Sequence, residues 1–177
     1  MGDFMKLTTA SKITVVRVLL IPVVLILMYL DFPGHMYWAL GVFIVASLSD
    51  FVDGYIARHY NQVSNFGKFM DPLADKLLVI SVMLVFVDFG LMPAWAAIIV
   101  VARELCVTGL RLIAVEGGKV IAAAWSGKIK TACTMIGFCL MMLPIPEGLV
   151  TACWIVVVLT TVYSGVEYFI KNASVFH

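Results

Sequence analysis

Apolar residues run through this chain in long blocks, and the interruptions between blocks are short and rich in turn-forming residues. Six blocks stand out, at 13–31, 37–57, 72–90, 93–114, 127–144 and 149–170. Each has about the 20 mostly apolar residues that a helix needs to cross a bilayer. The breaks Asp31-Phe-Pro-Gly34, Phe89-Gly-Leu-Met-Pro93 and Pro144-Ile-Pro-Glu-Gly148 carry turn chemistry. The pattern predicts one all-α domain over residues 1–177, an integral membrane bundle of six transmembrane helices. Segment 1–12 differs: Phe4, Met5, Leu7 and then Ile13 are interrupted by Lys6 and Lys12. It is expected to lie as a juxtamembrane amphipathic segment, its lysines among anionic head groups of membrane lipids. No A-x-A-like site follows the first apolar run, so a cleaved signal peptide is not expected.

Composition strengthens this picture and charge orients it. The chain is 63% hydrophobic and 13% charged. Its twelve bases avoid the three turns near 31–36, 88–93 and 144–148, where only the acids Asp31, Asp88 and Glu147 occur. By the positive-inside rule those turns face outward, and both termini face the cytoplasm with the loops after helices two and four. The net charge of +1 says little beside this sidedness, and no nucleic acid partner is expected. Cys106, Cys133, Cys139 and Cys153 lack metal-type or redox-type spacing and read as small hydrophobes. Trp38 and Trp95, near the outward helix ends, fit an interfacial belt.

Against this background four acids are conspicuous: Asp50, Asp53, Asp71 and Asp75. Carboxylates at a membrane edge are costly, so such a cluster is a functional-site hypothesis by default. Positions 50, 53, 54 and 57 share one face of a helix, and 67, 71 and 75 share a face of the next. Three accounts compete. Salt bridges to Arg58, Lys68 and Lys76 leave an excess of negative charge. An ion pathway would string its acids through mid-membrane rather than at one edge. An all-oxygen site for Mg²⁺ or Mn²⁺ is favoured, with water and a substrate phosphate completing the coordination. Two such ions are a device for phosphoryl chemistry. Gly54, Ala57 and Gly67 would leave the helix surfaces flat enough for a diphosphate to approach, and Arg58 has the donor fork to bind it. Asp71-Pro72 fits either a helix that begins there, with Asp71 as N-cap, or one that already includes Gly67 and bends.

The pattern D-x2-D-G-x2-A-R-x8-G-x3-D-x3-D, filled here from Asp50 to Asp75, resembles the signature of the CDP-alcohol phosphotransferase family. The resemblance implies attack by an alcohol on the β-phosphate of a CDP-linked lipid, with release of CMP. It also implies that Asp50, Asp53, Asp71 and Asp75 hold two divalent ions, Mg²⁺ or Mn²⁺, with Asp75 both ligand and general base. Ala10-Ser11-Lys-Ile-Thr14-Val-Val-Arg17 is similar to the Pro-Asn-x-x-Thr-x-x-Arg start of such enzymes. Thr14 is thereby implied in nucleotide binding, while Ser11 stands where the motif has Asn.

The alcohol must be read from elsewhere. Arg103, Arg111, Lys128 and Lys130 lie on the fourth helix and after it, where positive-inside charge is the competing explanation. Arg103 stands in an apolar run and is expected to pair with Glu104 or another acid. Arg111 follows Arg103 by two turns, and Lys128 and Lys130 open a helix whose first amides favour an anion. A cationic bowl of these four residues suits an acceptor that carries its own phosphate. The segments Ala102-Arg-Glu-Leu105, Gly109-Leu-Arg111, Trp125-Ser-Gly-Lys-Ile-Lys-Thr131 and Tyr163-Ser-Gly-Val-Glu-Tyr168 resemble a bacterial branch of the family. In that branch CDP-diacylglycerol is donor and glycerol 3-phosphate acceptor. It implies a homodimer in the bacterial plasma membrane, with its active site on the cytoplasmic face. The alternatives are the same chemistry on inositol phosphate, serine or phosphatidylglycerol, and, from another class, a small cation transporter.

Overall fold

The computed structural model describes the backbone of residues 9–59, 65–117 and 124–173, and side chains there except at 9–12, 50–59, 65–69, 71, 72 and 116. Six helices and no strand occur among the described residues: α1 (Thr9–Tyr29), α2 (His35–His59), α3 (Asn65–Asp88), α4 (Ala94–Glu116), α5 (Trp125–Met141) and α6 (Glu147–Lys171). They coincide with the six apolar blocks. The main differences are at the starts of α1 and α3, which begin several residues earlier than hydropathy marks. Of the segment 1–12, residues 1–8 fall outside the described residues and the rest already belongs to α1. Asp71-Pro72 lies inside α3, so Asp71 is not an N-cap.

The chain divides into two compact units, residues 1–85 and 86–177. In the first, α1 packs against α2. Ile21, Val24 and Met28 are buried on α1, and Ala39, Phe43 and Ala46 on α2. These i, i+3/i+4, i+7 stripes are what an amphipathic interface requires. His35 Nδ1 donates to the Leu27 carbonyl at 3.1 Å and ties the start of α2 to the end of α1. On α3, Ala74, Leu78 and Val82 are buried at four-residue intervals.

The second unit opens on the turn that ends α3. Leu91 N–H donates to Phe86 O and Gly90 N–H to Val87 O, at 2.8 and 3.1 Å. Gly90 has φ +71°. This is a Schellman cap, which places a glycine in the left-handed region just past the helix. Pro93 and Pro146, both extended, precede α4 and α6, where a missing N–H costs no helical bond. α6 packs against both α4 and α5. Phe86 and Phe138 meet edge to face at 5.1 Å, as do Trp95 and Trp154 at 5.5 Å.

α6 is apolar nearly all round, yet Leu149, Ile155, Val156, Leu159, Val162 and Ile170 are exposed. Among the described residues it is the helix long and apolar enough to cross a membrane; Ile13–Tyr29 and His35–Ser49 are shorter apolar stretches. α4 carries Arg103, Glu104 and Arg111 within its length, and α2 and α3 carry the aspartates, which interrupts their apolar runs.

Candidate functional site

In the first unit the aspartates occupy regular helix. Asp50 and Asp53 stand one turn apart near the end of α2, followed by Gly54, Ala57 and Arg58 on the same helix. Gly67, Asp71 and Asp75 stand one turn apart in the first half of α3. The helical register that the spacing required is present in both. Asp75 and Lys76 are half-buried and both have partners. The other candidates on these two helices have side chains outside the described residues, and so does Ser11. Among the described residues no three His, Cys, Asp or Glu gather as a metal cluster. The donor set suits a hard cation, since carboxylates are the ligands Mg²⁺ and Mn²⁺ prefer.

One residue that anchors this region is visible in detail. Arg17 on α1 has no exposed surface, and its Nε donates to Ser49 Oγ at 3.0 Å. Ser49 in turn donates to the Ala46 carbonyl at 2.7 Å. Thr14, one turn before Arg17, is equally buried. A guanidinium fully removed from water must be compensated by its partners, so Arg17 fixes α1 against α2 immediately before Asp50. Sequence reasoning treated Arg17 as a motif match alone. A lone charge within an apolar run was the available signal for an anchor.

The second unit holds the basic candidates and divides them. Arg103 and Lys130 converge on Glu104. Its Oε1 accepts from Arg103 Nη1 at 3.0 Å and from Lys130 Nζ at 2.6 Å. Arg103 Nη2 also donates to Ser164 Oγ on α6 at 2.5 Å. The expected pairing of Arg103 with Glu104 is therefore present. The arginine lies where two glycines make room. A Cβ on Gly165 would sit 3.1 Å from Arg103 Cγ, whereas one on Gly127 would sit 3.8 Å from Nη2.

Arg103 Nε is buried with no hydrogen-bond partner. Lys130, 5% exposed, has its single bond to Glu104 among the described residues. An ammonium has three protons to donate and a guanidinium five. Unspent donors of this kind are one requirement of an anion site. The Ala124 N-cap of α5 adds no side-chain acceptor for that helix's first amides.

Arg111 is held separately. Its Nε donates to Tyr168 Oη at 2.9 Å, and its guanidinium carbon lies 5.5 Å from the centre of the Tyr168 ring. Tyr168 itself is buried with Val107 and Leu110. Lys128 points away from Lys130: it is exposed, with Nζ 4.8 Å from the Trp125 ring centre. Two lysines two positions apart on a helix face nearly opposite sides, so the structure joins Lys130 to Arg103 and leaves Lys128 at the surface. Ser164 and Tyr168, one turn apart on α6, were missed as partners of Arg103 and Arg111. Their i, i+4 spacing in the Tyr163–Tyr168 segment was the signal. The four cysteines are free thiols.

The chain belongs to the CDP-alcohol phosphatidyltransferase family, whose pattern it matches over residues 7–163. Among its relatives, the CDP-diacylglycerol–glycerol-3-phosphate 3-phosphatidyltransferase of Bacillus subtilis is 44% identical, over 92% of this chain and 93% of its own length. Proteins of the same description from Escherichia coli and Salmonella choleraesuis are 36% and 35% identical, over 75% of each chain.

Proposed function

We propose that this chain is an integral membrane enzyme that transfers the phosphatidyl group of CDP-diacylglycerol to glycerol 3-phosphate, giving phosphatidylglycerophosphate and CMP. The carrying observation is two aspartate pairs at one-turn register on consecutive helices, in a member of a family that acts on CDP-alcohols. The Bacillus subtilis relative, similar over nearly its full length, supports these two substrates. The alternative acceptor serine has no phosphate to meet the unspent donors of Arg103 and Lys130.

Asp50, Asp53, Asp71 and Asp75 are assigned as ligands of two divalent cations, Mg²⁺ or Mn²⁺. When bound, these ions neutralise charge on the donor's diphosphate and on the oxygen that leaves with CMP. Asp75 takes the proton of the acceptor hydroxyl as that oxygen attacks the β-phosphorus. The bond from this phosphorus to the CMP oxygen breaks, and CMP departs with the bonding electron pair. Thr14, Gly54, Ala57, Arg58 and Gly67 form the nucleotide and diphosphate seat, with Arg58 donating to phosphate. Arg103 and Lys130 bind the acceptor's phosphate directly, with Arg111 and Lys128 lending positive charge around it.

In the same proposal all six helices cross the bacterial plasma membrane and the chain works as a homodimer. Both termini and the active site face the cytoplasm. The exposed apolar residues of α6 support the membrane setting, because water does not tolerate a contiguous apolar surface of that kind. Purified protein in lipid–detergent micelles should release CMP from CDP-diacylglycerol only with Mg²⁺ or Mn²⁺ and glycerol 3-phosphate. Release with serine in its place would overturn the acceptor, and no release with any alcohol would favour a transporter.

A further inference from the structure

Glu104 is a half-buried acid that the proposed chemistry leaves without a task. Its position is specific. It follows Arg103 on α4, and one of its oxygens receives both Arg103 Nη1 and Lys130 Nζ, the latter from α5. The side chains of Arg103, Glu104 and Lys130 are only 12%, 15% and 6% exposed. Arg103 is restrained at three further points: Ser164 Oγ binds its Nη2, and the backbones at Gly165 and Gly127 border its stem and head. Lys130 has no such frame. Its four-carbon stem carries large rotamer freedom, and among the described residues Glu104 is what holds its ammonium.

We infer that Glu104 is a positioning residue for the acceptor: by binding Arg103 and Lys130 at one oxygen, it fixes two mutually repelling cations as a single anion-holding unit. The inference rests on the reading of Arg103 and Lys130 as acceptor ligands. Both bonds are charge-assisted, the strongest class of hydrogen bond here. Glu104 offsets one of the two positive charges, which lets the pair remain buried. It leaves two ammonium protons and the Arg103 Nε proton unspent. A phosphate arriving at this corner meets donors already placed, and the ordering of a long lysine side chain has been met in advance.

The conservative variants separate geometry from charge. Glu104→Gln keeps the length and loses the charge. Glu104→Asp keeps the charge but withdraws the carboxylate by one methylene, away from α5. In the full-length protein, both are expected to raise the KM for glycerol 3-phosphate about tenfold, the scale of one charge-assisted bond lost. The KM for CDP-diacylglycerol and kcat should stay close to the parent's, while Tm should fall in Glu104→Gln, where two buried cations lose their counter-charge. Wild-type behaviour of Glu104→Asp beside a defective Glu104→Gln would overturn positioning in favour of charge alone. An unchanged acceptor KM in both would overturn it outright, as would parallel increases in both KM values. Lys130→Gln is the companion variant. If it raises the acceptor KM while the Glu104 variants do not, the acceptor site stands and the role of Glu104 falls. If it too leaves the acceptor KM unchanged, the acceptor site and the inference fall together.

Discussion

At the scale of single residues, the chain commits its charges sparingly and the buried ones are mostly engaged. Arg17 is bound to Ser49, Arg103 to Glu104 and Ser164, and Lys130 to Glu104. Asp75 differs in what the proposal asks of it, since it must accept a proton as well as bind cations. Asp75→Asn keeps the size and an oxygen ligand but removes the base. Turnover by this variant should fall at least a thousandfold, about 4 kcal/mol of barrier, while CDP-diacylglycerol binding by isothermal titration with Mg²⁺ stays measurable. Near-normal turnover would show that another group takes the proton. Residue chemistry was the most legible level of the sequence, because acids in an apolar chain have few benign explanations. Partners across helices were less legible. Nothing in the spacing of Lys128 and Lys130 says which turns inward, and helical phase, set by how α5 meets α6, decides it.

At the scale of elements, hydropathy found all six helices because each is a long apolar run between turn residues. It placed the start of α3 several residues late, since Asn65–Asp71 is polar enough to read as loop. Pro72 stands eight residues into α3, where it removes the N–H that would bond to the Lys68 carbonyl but does not end the helix. Close approach of helices was the other hidden quantity. Gly165 looks no different in sequence from Gly127, yet a methyl group at Gly165 would crowd Arg103 Cγ at 3.1 Å, while one at Gly127 meets Nη2 at an ordinary 3.8 Å. Gly165→Ala is therefore expected to cost about 1–2 kcal/mol of stability and to raise the acceptor KM several-fold. Gly127→Ala should be nearly neutral in both. Thermal unfolding and steady-state kinetics on the two variants test this, and equal effects would show that the slot is not selective.

At the scale of the whole molecule, charge along the chain predicts sidedness. With native cysteines replaced by serine, single cysteines at Asp31, Asp88 and Glu147 should react with an impermeant maleimide added outside intact cells. One at Asn61 or Lys119 should react only after the membrane is opened; the reverse pattern would invert the proposed topology. The exposed aliphatic surface of α6 has a consequence for every measurement suggested above. A protein that lives in the apolar phase meets its lipid donor as a surface density, in moles per mole of amphiphile, and its phosphate-bearing acceptor as an ordinary volume concentration. Extra detergent at fixed total donor thins the first and leaves the second untouched. The two Michaelis constants thus carry different dimensions, and dilution of the micelle surface becomes a dial that turns one substrate at a time.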